Sequence, residues 1–218
     1  MRTTECPFQF YTASYLTRIG NLKATTLAEL GDGLEKSGDA SIFYHTFQSL
    51  SRHHFLTEGF SNDFAQWVLA ACNRVKLAEQ LSSLDIRNYR SLAELRCDLR
   101  RAVSDYCGRY PHYAGHEAFE PFYFCEAIEV AMPLGLGARS LEEFLEGLKK
   151  LSHASFYYHF IASRLRVQLH TNDFSHWLQN SLELNSLAQR ASLIDLDTNT
   201  LESAHSILVG LVEEELAQ

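Results

Sequence analysis

The sequence has no CxxC pair, no apolar leader and no apolar run long enough to cross a bilayer. Each absence removes a class of protein. The five cysteines, Cys6, Cys72, Cys97, Cys107 and Cys125, are odd in number and scattered. They fit reduced thiols better than a disulfide framework. The opening residues, Met1-Arg2-Thr3-Thr4-Glu5-Cys6-Pro7, contain no signal region, and charge interrupts every apolar stretch. A cytoplasmic chain with no membrane span is expected. Basic charge is scarce too: the net charge is −8, and residues 111–218 hold only 6 Lys/Arg against 15 Asp/Glu. A nucleic-acid groove needs a basic field, so nucleic acid is not an expected partner.

Catalytic and cofactor signatures are also missing. There is no G-x-S-x-G elbow, and Gly135-Leu136-Gly137 lacks the third glycine and the setting of a dinucleotide fold. No Glu-x-x-His pair of a di-iron bundle occurs. Cys107, His112, His116 and Cys125 could ligate zinc chemically, but their spacing matches no zinc finger and nothing repeats it. No metal and no cofactor is therefore assigned. With 218 residues and an ordinary apolar and charged content, the chain can build a sizeable core.

What is present is a duplication. Ala40-Ser41-Ile42-Phe43-Tyr44-His45 returns as Ala154-Ser155-Phe156-Tyr157-Tyr158-His159. Asn62-Asp63-Phe64 with Trp67 returns as Asn172-Asp173-Phe174 with Trp177. The offset is 114 at the first segment and 110 at the second, so copy one carries a longer loop between them. Internal repeats govern the reading of a fold. Copy one spans 8–107, a Gly/Pro-containing linker 108–121, and copy two 122–217, all expected to form one globular body.

Helix starts are marked by caps. Thr26-Leu27-Ala28-Glu29 and Ser140-Leu141-Glu142-Glu143 read as capping boxes, in which the hydroxyl and the glutamate satisfy amides reciprocally. Asn62 and Asp63, with Asn172 and Asp173, read as structural caps, the aspartates being the expected N-caps. The pattern predicts helices near 26–37, 40–56, 63–72, 74–84 and 91–107, and near 140–151, 154–169, 173–182, 184–194 and 200–216. The segments 8–15 and 122–131 fit either a strand or a first helix, with a helix preferred. The expected fold is mainly α: two tandem helical repeats about a pseudo-twofold axis, with room for a short strand at the start of each.

On a helical wheel, Phe43, Phe47, Leu50 and His54 form one stripe, the expected core face. Ser41, His45 and Arg52 gather opposite it, within about 40°. Ser155, His159 and Arg166 repeat the set. A hydroxyl, an imidazole and a guanidinium together suit an anion. Tyr44 and Tyr158 could line such a pocket. The competing reading is a repeated buried network, in which Arg52 pairs with Asp63 or Asp85 and His45 bonds a backbone carbonyl. Hydrolysis by Ser41 and His45 would also need an orienting acid and an oxyanion hole, and catalytic serines typically sit on strained turns such as the missing G-x-S-x-G elbow.

The segments Ser41–Thr46, Asn62–Trp67 and Asn172–Trp177 resemble an uncharacterised bacterial and archaeal two-repeat family, a domain of unknown function. The resemblance covers nearly the whole chain. Members often carry a second histidine after the His-Thr pair, where this chain has Phe47. The resemblance implies no activity. The leading expectation is a non-enzymatic binding or regulatory protein recognising a protein partner or a small anionic ligand. The alternatives are a small enzyme with His45 or His159 as general base, and a purely architectural oligomer subunit.

Overall fold

The computed structural model describes residues 3–48, 62–86, 89, 91–163, 171–194 and 199–217. Two long strands, β1 (Thr3–Ala24) and β2 (Phe122–Ser140), pair as a two-stranded antiparallel sheet. That sheet overturns the mainly α, tandem-helical-repeat expectation and the preference for a first helix at 8–15 and 122–131. The physical reason lies in burial. Phe8 and Phe10 are buried, as are Phe122 and Phe124, two residues apart as a strand requires. Phe8, Tyr11 and Tyr15 also fit a helical period, but Tyr11 and Tyr15 are only half-buried. Further along, β2 is exposed on both faces from Ile128 to Gly135, so no alternation marks it as a strand. Pro133 and Gly135, the latter at φ 69°, sit inside β2 where a helix would break.

Helices follow the two strands. After β1 come α1 (Leu27–Lys36), α2 (Asp39–Phe43), a π-helical turn at Tyr44–Gln48, α3 (Asp63–Ala70), α4 (Val75–Ser82), α5 (Leu92–Arg109) and the single turn α6 (Pro111–Ala114). After β2 come α7 (Leu141–Lys149), α8 (His153–Tyr157), a second π-helical turn at Tyr158–Ala162, α9 (Asp173–Asn180), α10 (Asn185–Ser192) and α11 (Leu201–Leu216). Thr26 and Ser140, the hydroxyls of the two capping boxes, accept the amide three residues on, and Ser91 and Thr200 do the same at the starts of α5 and α11. The glutamates of the two boxes reach one residue further back than expected. Glu29 takes the amide of Thr25 at 2.6 Å, and Glu143 takes that of Arg139 at 2.7 Å. The bonds from Thr25 hold the Glu29 carboxyl below its ordinary pKa.

The chain folds into two compact units that divide it differently from the sequence copies. One unit is Tyr15–Ile128; the other joins Met1–Ser14 to Glu129–Gln218. The start of each copy's strand thus belongs to the unit built from the other copy's helices.

In the unit Tyr15–Ile128, Phe124 lies against α1 at Gly33, where a Cβ would stand 2.3 Å from the ring. In the other unit, Phe10 lies against α7 at Gly147 in the same way, again at 2.3 Å. Only glycine permits these approaches. Ring-on-ring contacts close each core: Phe64 meets Phe122 at 5.2 Å, and Phe8 meets Phe174 at 5.5 Å. Among the described residues no helix is long and apolar enough to cross a membrane.

Candidate functional site

Each copy's signature histidine lies in a π-helical turn that continues a short α-helix. Such turns widen a helix by one residue and recur at functional sites. Thr46 donates its hydroxyl to the Ile42 carbonyl at 2.6 Å, and Ser163 donates likewise to the His159 carbonyl. Back-bonding of this type bends helices.

In the unit Tyr15–Ile128, His45 Nδ1 stands 2.9 Å from Asp63 Oδ2, and His45 Nε2 accepts the Cys125 amide at 2.9 Å. In the other unit, His159 Nδ1 stands 2.8 Å from Asp173 Oδ2, and His159 Nε2 accepts the Tyr11 amide at 2.8 Å. A backbone amide can only donate, so Nε2 is the bare nitrogen and the ring proton is on Nδ1, facing the carboxylate. This bonding fixes one neutral tautomer in both units. The lone pair a general base would use is occupied by a strand amide.

Burial agrees. His45 and His159 are 3% and 2% exposed. Every residue from Ser41 to Gln48, and from Ser155 to Ser163, is buried. Ser41 and His45, on the face expected to lie apart from the core stripe, are buried as thoroughly as Phe43 and Phe47 of the stripe. Phe122 at 4.7 Å and Tyr44 at 4.9 Å flank the His45 ring; Phe8 at 4.9 Å and Tyr158 at 5.0 Å flank His159.

The Asn-Asp pairs divide their work. Asn62 and Asn172 are the N-caps, accepting the amides of Ala65 at 2.9 Å and Ser175 at 2.8 Å. Their side-chain amides reach Leu81 and Ala191 carbonyls at 3.1 and 3.5 Å. The aspartates, expected as N-caps, occupy the first helical position and turn to the histidines. Neighbouring asparagines leave them free for that role.

The remaining predicted residues fall as follows. Ser155 Oγ lies 3.0 Å from Ser152 Oγ, the cap of α8. Ser41 Oγ is buried with no hydrogen-bond partner, and the cap of α2 is Gly38, which offers no hydroxyl. Tyr44 and Tyr158 are both 7% exposed; the former accepts from the Thr17 hydroxyl at 3.4 Å, and the latter's ring meets Tyr11 at 6.0 Å. Arg52, Arg166, Leu50 and His54 lie outside the described residues. Among the described residues no group of three or more His, Cys, Asp or Glu is placed to hold a metal.

Sequence reasoning missed four partners. Trp67 donates its indole N–H to the Glu120 carbonyl at 2.8 Å, and Trp177 donates to the Cys6 carbonyl at 2.9 Å. Glu120 and Cys6 are 114 residues apart, as are Cys125 and Tyr11. That constant offset was the available signal: it marks backbone positions, whose side chains need not match.

An open cleft of about 440 Å³ lies elsewhere, lined by Tyr89, Ala93, Glu94, Cys97, Asp98 and Arg101. The Tyr89 hydroxyl donates to Asp98 at 3.0 Å, and burial followed by that bond pushes its pKa up to about 12.

Comparison with known proteins places the chain in a family. "Family of unknown function (DUF5752)" matches residues 5–213, and the chain belongs to it. A solved structure titled "The structure of OrfY from Thermoproteus tenax" is similar, at 29% identity and a TM-score of 0.86. The likeness covers 99% of this chain and 98% of that one. No curated protein matches.

Proposed function

We propose that this DUF5752 member is a cytoplasmic, non-enzymatic binding or regulatory protein that recognises a protein partner. The observation behind this reading is where reactive and apolar groups are placed. Both signature imidazoles have each nitrogen engaged inside their own unit. On β2, by contrast, Val130, Met132 and Leu134 are 44%, 46% and 37% exposed. Residues two apart share one face of a strand, so these three form an apolar row open to a partner. Pro133 supplies no amide to an added strand, which favours a partner lying on the face over one extending the edge. The anionic-ligand alternative relies on Ser41, His45 and Arg52 with Ser155, His159 and Arg166; the arginines lie outside the described residues, and the other four are buried. The general-base alternative needs an imidazole lone pair that a strand amide holds.

A photo-crosslinking residue at Met132, with one at exposed Lys150 as control, tests the reading in extract of the source cells. One protein should be captured from Met132 and not from Lys150, and Val130→Glu should abolish its capture. Crosslinks only between copies of this chain would favour the architectural-subunit alternative. No crosslink at all would end the partner reading.

A further inference from the structure

Each set of helices is completed by a strand from the other copy. In the unit Tyr15–Ile128, the copy-one helices receive residues 122–128 from copy two. Phe124 seats against Gly33, Cys125 N–H on His45, and the carbonyl of the preceding Glu120 on Trp67. In the other unit, the copy-two helices receive the start of β1 from copy one. Phe10 seats against Gly147, Tyr11 N–H on His159, and Cys6 C=O on Trp177. Nothing in these contacts requires the strand to come from the same molecule. The copies are joined covalently only through the linker.

The linker is itself fastened. The Arg74 guanidinium stands 3.9 Å over the Tyr113 ring and donates to His116 Nδ1 at 3.3 Å. Ala118 N–H reaches Thr25 C=O at 2.7 Å, and Phe119 N–H reaches Ala71 C=O at 2.9 Å, but these two lie next to the strand and would travel with it. Arg74 therefore clasps the one stretch, 108–117, that must open for a strand to leave.

We propose that the chain exchanges copies with a second molecule of itself, hinging at residues 108–117. In the resulting dimer, copy one of each molecule is completed by copy two of the other. All strand contacts described above are regained, and the Arg74 clasp and the tether's advantage are lost. Exchange of identical elements is a low-cost route to dimers. Once opened, a short tether supplies an effective concentration on the order of millimolar, so the closed monomer dominates in dilute solution. The clasp and the linker length set the balance.

The test uses the full chain with Cys6→Ser and Cys97→Ser, plus Gln9→Cys and Gly137→Cys. These last two lie on β1 and β2 within one unit, a Cβ on Gly137 standing 3.2 Å from the Gln9 side chain. Their disulfide is intramolecular in the closed monomer and intermolecular in the exchanged dimer. Without further change the protein should be monomeric by light scattering, with an internal crosslink. Deleting His112–Glu117 should double the mass and yield a disulfide-linked dimer on a non-reducing gel. A folded monomer with an internal crosslink would overturn the proposal. If the deletion does not fold, Arg74→Ala with Tyr113→Ala is refolded at about 1 mM, near the tether's effective concentration. The crosslinked dimer should then rise severalfold over the parent, and an unchanged fraction would overturn the proposal equally.

Discussion

Gly33 approaches Phe124 so closely that a Cβ on it would lie 2.3 Å from two atoms of a ring that is 2% exposed. Gly31, on the same helix, has only ordinary contact there, 3.6 Å to Val103. The same substitution should therefore act with opposite signs two residues apart. Gly33→Ala forces a buried ring to move and should destabilise by about 1–3 kcal/mol. Gly31→Ala should stabilise by about 0.5–1 kcal/mol through helix propensity. Urea titration of both variants checks the pair, and Gly147→Ala should follow Gly33→Ala.

Asp63→Asn removes the carboxylate that receives the His45 Nδ1–H. Hydrogen bonds to charged groups contribute about 1.5–3 kcal/mol, and a loss of that size is expected, with Asp173→Asn behaving alike. Nitrogen-15 NMR of the native protein should report the Nδ1–H tautomer for both His45 and His159. An Nε2–H tautomer at either would show that the strand amide is not bonded there.

Gly38→Ser transplants the α8 cap onto α2. A Cβ at Gly38 meets nothing within 4 Å, and the backbone there is extended, with φ −78°. The new hydroxyl should accept the Ser41 amide and meet the orphaned Ser41 Oγ, as Ser152 does for Ser155. A gain of roughly 0.5–1 kcal/mol in denaturation is expected, from capping and from satisfying a buried hydroxyl.

The thiols should divide by environment. Burial pushes the Cys72 thiol up to about 11 from an ordinary 9.0 and also raises Cys107, while Cys6 and Cys97 are exposed. Alkylation needs the thiolate, so Cys6 and Cys97 should react well ahead of Cys72 at pH 8, which peptide mass mapping reads directly. Folding holds the Cys72 proton more tightly than the unfolded chain does. Its contribution to stability is thus full below about pH 9 and lost as pH rises toward about 11. Cys72→Ala should flatten that part of the stability profile.

Much of the helical scaffold was legible from sequence because its signals are local. Thr26, Ser91, Ser140 and Thr200 lie within three residues of the amides they cap. The full strands were not legible, because the apolar alternation is confined to Phe8 and Phe10 and to Phe122 and Phe124, while long stretches such as 128–135 are exposed on both faces. At the candidate site the duplicated histidines were visible, but their roles were not. Asp63 is 18 residues from His45, and Cys125 is 80 residues away and contributes a backbone amide that carries no side-chain signature.

The sequence alone determined the duplication, the hydroxyl caps at Thr26 and Ser140, most helix starts and the correspondence of His45 with His159, since all of these are short-range or self-referential patterns. Tertiary structure decided which copy's strand completes which helices and which way the imidazoles face. It also decided that Ser41, His45, Ser155 and His159 lie inside the protein. Those outcomes depend on contacts between residues far apart in the chain, where a glycine such as Gly33 matters for the ring it admits.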